Sequence, residues 1–271
     1  MSRTLAGKRV ILTGASSGIG RALAGQLARA GANLVLAARS ADKLDELART
    51  LGPSAFAVPT NLCVPEERER LIRTAIEKMG GIDLLINNAG IASWGHFANS
   101  DEAVMREVME VNFFAPVELI RLAIPQLTMG SQPAIVNVAS MCGRLALPAW
   151  SEYSASKFAL CGITESLRSE MARFDIDVVL IVPGLTQTNL RENMPRNEGK
   201  AKIDFNGGMS AEHVAAKIVG AICRNKREVV LGSDARWMLR LNRWFPRLLN
   251  RLICRRVKKI YDKQQSEAHT R

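Results

Sequence analysis

The sequence predicts an α/β fold: a doubly wound, seven-stranded parallel sheet with helices on both faces, followed by a basic amphipathic helical extension. Three observations carry this expectation. Short apolar runs bounded by Gly or Pro alternate with stretches of helical period, the order that builds βαβ units. A glycine cluster stands between the first apolar run and the first helical stretch. Beyond Gly232, apolar residues and arginines recur together at helical spacing.

The elements follow in order. Arg9–Thr13 reads as a buried strand, Gly14–Gly20 as a turn, and Ile19–Ala30 as a helix. In that context glycines allow a tight turn and let the backbone approach a pyrophosphate, which the helix N-terminus attracts. The residues expected to form this cradle are Gly14, Ser16, Ser17, Gly18, Ile19 and Gly20. Asn33–Ala38 is the second strand, and Arg39 follows it where an NAD enzyme places an acidic residue for the ribose 2′-hydroxyl. An arginine there suits a 2′-phosphate, so NADP(H) is the expected cofactor and NAD(H) the weaker alternative.

Leu44–Leu51 has helical period, Ser54–Pro59 reads as the third strand, and Thr60-Asn61-Leu62 turns into the polar helix Pro65–Met79. Asp83–Asn87, the fourth strand, runs into Asn88-Ala89-Gly90. Asp101–Leu127 reads as one helical stretch with Asn112 inside it. Ala134–Ala139 is the fifth strand and places Ser140 at its carboxyl end, the end where parallel sheets hold ligands. Cys142, in the same loop, reads as a small loop residue in preference to a pocket-lining one, with no catalytic role. A helix opens at Ser151 and runs to about Arg173, Val178–Pro183 is the sixth strand, and Pro183-Gly184 breaks it. Leu185–Met209 is polar and glycine-bearing, the look of a mobile lid. A helix over 211–224 and a short strand, Glu228–Leu231, complete the set.

Tyr153 and Lys157 stand four residues apart, so a helix projects both from one face. A free phenol has a pKa near about 10 and is a poor acid-base group at neutral pH. An ammonium at about 4 Å favours the phenolate by at most about 4 kcal/mol at an effective dielectric of about 20. That attraction would bring the phenol toward the range where general acid-base catalysis works. Such a pair alone is common on helices, and its company decides its meaning.

The company is Thr13-Gly14-Ala15-Ser16-Ser17-Gly18-Ile19-Gly20, Asn87-Asn88-Ala89-Gly90, Asn112, Ser140, the Tyr153/Lys157 pair and Pro183-Gly184. In this order and spacing the chain resembles the short-chain dehydrogenase/reductase family over about residues 7–232. The resemblance implies a Rossmann fold and reversible NADP(H)-linked interconversion of a carbonyl and an alcohol. It implies that Tyr153 protonates the substrate oxygen, Lys157 lowers the tyrosine pKa and binds the nicotinamide ribose, and Ser140 donates to the substrate oxygen. Asn112 would kink its helix and anchor a water reaching Lys157. Asn88, Ala89, Gly90, Pro183, Gly184, Thr186 and Thr188 would lie beside the cofactor, with Asn61 and Leu62 at the adenine. Asn61 departs from the family's usual Asp. Reduction of 3-oxoacyl carrier-protein thioesters and a non-catalytic dinucleotide-binding scaffold at a membrane surface are the alternatives.

Bulk composition agrees with a globular domain: 271 residues, 47% hydrophobic and 23% charged. No apolar run approaches the roughly 18 residues of a membrane span, and the first ten residues lack the apolar core of a signal peptide. Five cysteines without C-x-x-C spacing and three scattered histidines predict neither a disulfide framework nor a metal site. A cytoplasmic homo-oligomer, dimer or tetramer, is expected, acting on a small carbonyl or alcohol. The domain boundary is placed at Gly232, leaving 233–271 as tail. Of the net charge of +11, the segment Asp234–Lys263 supplies about +8, from ten Lys or Arg against two Asp. Trp237, Leu241, Trp244, Leu248 and Leu252 run beside its arginines, with Pro246 dividing two short helices. Two readings stay open for residues 234–262: peripheral contact with the inner face of a membrane, or docking on the chain's own domain or a second subunit. Nucleic acid is the less favoured third.

Overall fold

The computed structural model describes residues 3–199 and 207–269. Strands β1 (Arg9–Thr13), β2 (Asn33–Ala38) and β3 (Ala55–Pro59) are linked by helices α1 (Gly18–Arg29) and α2 (Ala41–Leu51). Helix α3 (Pro65–Met79) leads to β4 (Leu84–Asn87), and a two-residue strand, β5 (Ser93–Trp94), follows. Next come α4 (Glu102–Met109), α5 (Ala115–Leu127), β6 (Ala134–Val138), α6 (Ser151–Met171) and β7 (Asp177–Pro183). The chain ends with β8 (Arg196–Asn197), α7 (Ala211–Cys223), β9 (Glu228–Leu231), α8 (Ser233–Trp244) and α9 (Pro246–His269). The seven-stranded sheet has the order β3-β2-β1-β4-β6-β7-β9, with every neighbouring pair parallel.

The strands carry apolar residues on both faces because helices cover both. One core, with Leu12, Leu23, Leu36, Ile86, Val136 and Ile218, lies under α1 and α7. The other, with Ile11, Leu71, Leu85, Leu119 and Ile135, lies under α3 and α5. Strand order reverses between β1 and β4, and the crevice above that switch is where such sheets bind ligands.

Three elements depart from what periodicity alone predicts, the first of them at Asn112, where the resemblance implied a kink. The stretch Asp101–Leu127 is interrupted by a π-helical turn over Glu110–Phe114, which contains Asn112. Such turns commonly mark functional positions in otherwise α-helical segments. The 185–209 segment is tied at both ends rather than loose. Gln187 N–H donates to Met209 O, Met209 N–H donates to Leu185 O, and β8 pairs with β5. Residues 200–206 of that segment lie outside the described ones. Pro246 does divide the tail, but α9 is long, at 24 residues, because nothing after Pro246 interrupts its helical period.

The cut at Gly232 also crosses a contact. Ala235 is buried against Gly184, and Leu239 packs on Leu160, Val182 and their neighbours. The first half of α8 is thus part of the globular body.

Candidate active site

The glycine turn fits its position through two backbone demands. Gly14 adopts φ +67°, and a Cβ on Gly20 would sit 2.0 Å from Gly14 O. Only glycine tolerates both. The first turn of α1 carries no acidic residue, and Ser17, at its N-cap, makes no capping bond. Its N–H groups are therefore left to attract an anion. Thr13 Oγ1 accepts hydrogen bonds from the Asn88 and Ala89 N–H groups, both at 3.0 Å, while Asn88 Nδ2 donates to Thr13 O. These bonds clamp the end of β4 to the end of β1.

Helix α6 is set on the sheet by a buried polar chain. Asn87 Nδ2 donates to Asn137 Oδ1, and Asn137 Nδ2 donates to Thr164 Oγ1, each at 2.9 Å. Asn112 joins the π turn to two other segments. Its Oδ1 accepts from Ile91 N–H at 2.9 Å, and its Nδ2 donates to Ile91 O and Ser156 Oγ. Gly90 lies between Asn112 and Lys157, where a Cβ would come within 3.1 Å of Asn112 Oδ1 and 3.2 Å of Lys157 Nζ.

A cavity of about 530 Å³ opens above the switch point. Gly14, Ser16, Ser17, Gly18, Ile19 and Gly20 line it, together with Arg39, Asn61, Leu62, Asn88, Ala89 and Gly90. Ser140, Tyr153, Lys157, Pro183, Gly184, Thr186 and Thr188 complete its wall, so only Asn112 of the sequence candidates stands behind it. The glycine cradle, the free helix N-terminus and the cavity above them fit a dinucleotide. Asn61 Oδ1 accepts from Cys63 N–H at 3.1 Å, closing a local turn that occupies part of its acceptor capacity. Thr186 Oγ1 donates to Gly184 O at 3.1 Å.

Sequence reasoning missed several contributors. Lys43 and Asp234 reach the cavity wall, and neither sits in a motif. Asn137, Ser156 and Thr164 sit in no motif, and their bonds to Asn87, Asn112 and Asn137 join residues distant in sequence. Cys142 lines the cavity, against the preferred reading of a plain loop residue, and burial pushes its thiol up to about 11, which keeps it an unreactive thiol at neutral pH.

The catalytic candidates meet at one wall. The Lys157 ammonium lies 5.8 Å from the Tyr153 ring centroid and donates to Val138 O at 3.1 Å. Burial pushes the Tyr153 phenol up from its ordinary value, with a smaller opposing pull from a hydrogen bond with Ser140. Burial brings Lys157 down to about 8. The helix spacing alone predicts the opposite direction for the tyrosine; it accounts for the neighbouring charge but not for the loss of water from both groups. Beside Tyr153 the wall is apolar: Trp150 stacks against Trp94 at 5.9 Å and tilts on Tyr153 at 5.7 Å, with Leu147 and Leu190 around them.

A doubly wound sheet with this glycine turn and a Ser/Tyr/Lys wall defines a dinucleotide-binding oxidoreductase. The sequence model of the short chain dehydrogenases matches residues 8–199, and the chain belongs to the short-chain dehydrogenase/reductase family. Dehydrogenase/reductase SDR family protein 7-like of Anopheles gambiae is 36% identical over 246 residues, 86% of this chain and 78% of that one. Dehydrogenase/reductase SDR family member 7B of Mus musculus is 36% identical over 233 residues, 82% of this chain and 72% of that one. Among solved structures, a short chain dehydrogenase/reductase from Burkholderia phymatum in complex with NAD superposes with a TM-score of 0.83 at 27% identity. It covers 91% of this chain and 96% of its own.

Proposed function

We propose that this oxidoreductase interconverts a ketone or aldehyde and the corresponding alcohol on a lipophilic substrate with NADP(H). The single observation that carries the reading is the convergence of Ser140, Tyr153 and Lys157 beside the apolar wall of Leu147, Trp150 and Leu190. The catalytic unit is residues 1–232 together with the docked first half of α8, and the remainder of 233–271 is the basic tail. When bound, the dinucleotide supplies or accepts the hydride. Its pyrophosphate would lie on the Gly14–Gly20 turn, its adenine end by Asn61 and Leu62, and its nicotinamide end by Asn88, Gly90, Gly184, Thr186 and Thr188.

In reduction, Tyr153 gives its phenolic proton to the substrate oxygen, and Ser140 donates a hydrogen bond to that oxygen. A phenol held protonated by burial suits the role of donor. Lys157 stabilises the phenolate left behind and hydrogen-bonds the ribose, and Asn112 fixes the Ile91 loop and α6 relative to each other. Turnover of ketones with NADPH and of alcohols with NADP⁺ tests the reading, and absence of turnover with every carbonyl class would leave the scaffold alternative. Acyl thioesters turned over in preference to simple ketones would favour the 3-oxoacyl alternative.

The charge on Lys157 makes the rate pH-dependent. As pH rises through about 8 the ammonium deprotonates. The phenolate then loses its counter-charge, so kcat/KM for reduction should fall above that pH. A profile flat from pH 6 to about 10 would remove Lys157 from this role.

The proposed NADP(H) preference rests on Arg39, which is exposed at the cavity rim, where Lys43 of the first turn of α2 also reaches the wall. The Burkholderia relative bound to NAD makes the comparison informative. Arg39→Asp is expected to weaken NADPH binding by about tenfold or more and to spare NADH. Wild-type use of NADH at least as good as of NADPH would sink the claim.

Membrane contact is the reading favoured for the tail, and a homo-oligomer remains the proposed assembly, measurable by light scattering. Helix α8 docks by Ala235 and Leu239 yet leaves Trp237 71% and Trp244 74% exposed, with Leu248 and Leu252 nearly half exposed beyond them. Among the described residues, the body of the chain does not cover this stripe. Among the described residues no helix is long and apolar enough to cross a membrane, so any such contact is peripheral.

A further inference from the structure

A second cavity, of about 720 Å³, lies at the far edge of the sheet from the glycine turn, between α7, β9 and α8. Its floor is Val229, Val230, Leu239 and Ala221. Lys217, Arg224 and Lys226 face it from one side, and Arg236, Arg240 and Arg243 from the other. None of these six makes an ion pair among the described residues. Arg144 and the one carboxylate of the wall, Glu228, are paired with each other, and Arg144 also pairs with Glu165, so neither offsets the six. Arg224, at the end of α7, and Arg243, in the last turn of α8, are placed where a helix dipole favours a cation, but that reason does not extend to Arg236 or Arg240. Six cations facing one another across a cleft repel, and an anion between them removes that repulsion.

The position of the cleft says which anion. Arg236, Arg240 and Arg243 lie at i, i+4 and i+7, so they form one stripe of α8. Trp237, Leu241 and Trp244 each follow by one residue, which turns their stripe by about 100°. The exposed aromatic stripe therefore flanks the cationic cleft along a single helix. With the aromatics at the acyl boundary of a bilayer, the cleft opens at the level of the head groups.

We propose that this cleft seats the phosphate of an anionic phospholipid and fixes the enzyme's orientation on the membrane. The inference rests on the membrane reading of the tail, and it adds a defined head-group site away from the catalytic cavity.

The test is co-sedimentation of the full-length protein with vesicles of phosphatidylcholine alone or mixed with phosphatidylglycerol, at low salt. The cleft variant Lys217→Gln/Arg224→Gln/Lys226→Gln alters only the α7 side and leaves the aromatic stripe untouched. A charge-matched control, Arg49→Gln/Arg73→Gln/Lys78→Gln, removes three exposed cations from α2 and α3, which flank the opposite edge of the sheet. The wild type and the control are expected to sediment with the mixed vesicles. The cleft variant should partition at least about tenfold less, with turnover of a soluble ketone unchanged. Equal partitioning of cleft variant and control would overturn the head-group site while leaving the membrane reading standing. A wild type that ignores the mixed vesicles would overturn both. Thermal stabilisation by inorganic phosphate without vesicle binding would assign the cleft to a soluble anion and overturn the lipid source.

Discussion

Tyr153→Phe is expected to lower turnover by roughly two to four orders of magnitude while leaving dinucleotide affinity within a few-fold. The phenyl ring keeps the packing against Trp150 and the place above Lys157, so the fold and the cradle on α1 are undisturbed. What is lost is the O–H that supplies the proton and the hydrogen bond with Ser140. The measurement is steady-state kcat beside dinucleotide binding followed by fluorescence quenching. Near-wild-type turnover by the phenylalanine variant would remove Tyr153 from the chemistry and leave Ser140 or a water as the proton source.

Arg196→Met is expected to cost about 3–5 kcal/mol of stability, which lowers the melting temperature by roughly 10 °C. Arg196 lies in β8, and its guanidinium sits 3.8 Å from Glu152, whose side chain is 0% exposed. Arg196 also donates to His96 O at 2.7 Å and to Glu198 at 2.9 Å, while Glu152 accepts from Ser93 Oγ at 3.0 Å. Without the arginine, Glu152 is a buried charge beside Tyr153 with only a hydroxyl for company. Glu152→Gln in the same chain should recover much of the loss because it removes the stranded charge. The check is thermal melting of both variants, with KM for substrate as a second readout, since β8 ties the 185–209 segment to β5. A single variant melting within about 2 °C of the wild type would show that the pair contributes little.

The alternation of apolar runs and helical stretches made the sheet legible, because a parallel strand buried on both faces must be apolar throughout. The ends of the seven strands of the main sheet fell within one residue of those read from the sequence, four of them (β1, β3, β7 and β9) stopping at a Pro or just before a Gly, whereas the two-residue β5 and β8 were not read. The cradle was legible for the same reason, since Gly14 and Gly20 serve a local turn and every residue of it is consecutive. The helical period carries no mark of the extra residue in the π turn at Asn112, and only the family resemblance implied a kink there. The partners of Asn112, Ile91 and Ser156, are 21 and 44 residues away.

By itself the sequence determined the fold class, the family and the motif residues that line the cavity, though not Lys43 or Asp234, because motifs are carried by local spacing. Only the tertiary structure decided how those residues are poised. Burial raises the Tyr153 pKa and lowers that of Lys157 against the direction their spacing suggests. It also buried Glu152 beside Arg196, docked α8 by Ala235 and Leu239, and turned its tryptophans outward. Desolvation and facing direction depend on what packs from elsewhere in the chain, and no window of sequence contains that.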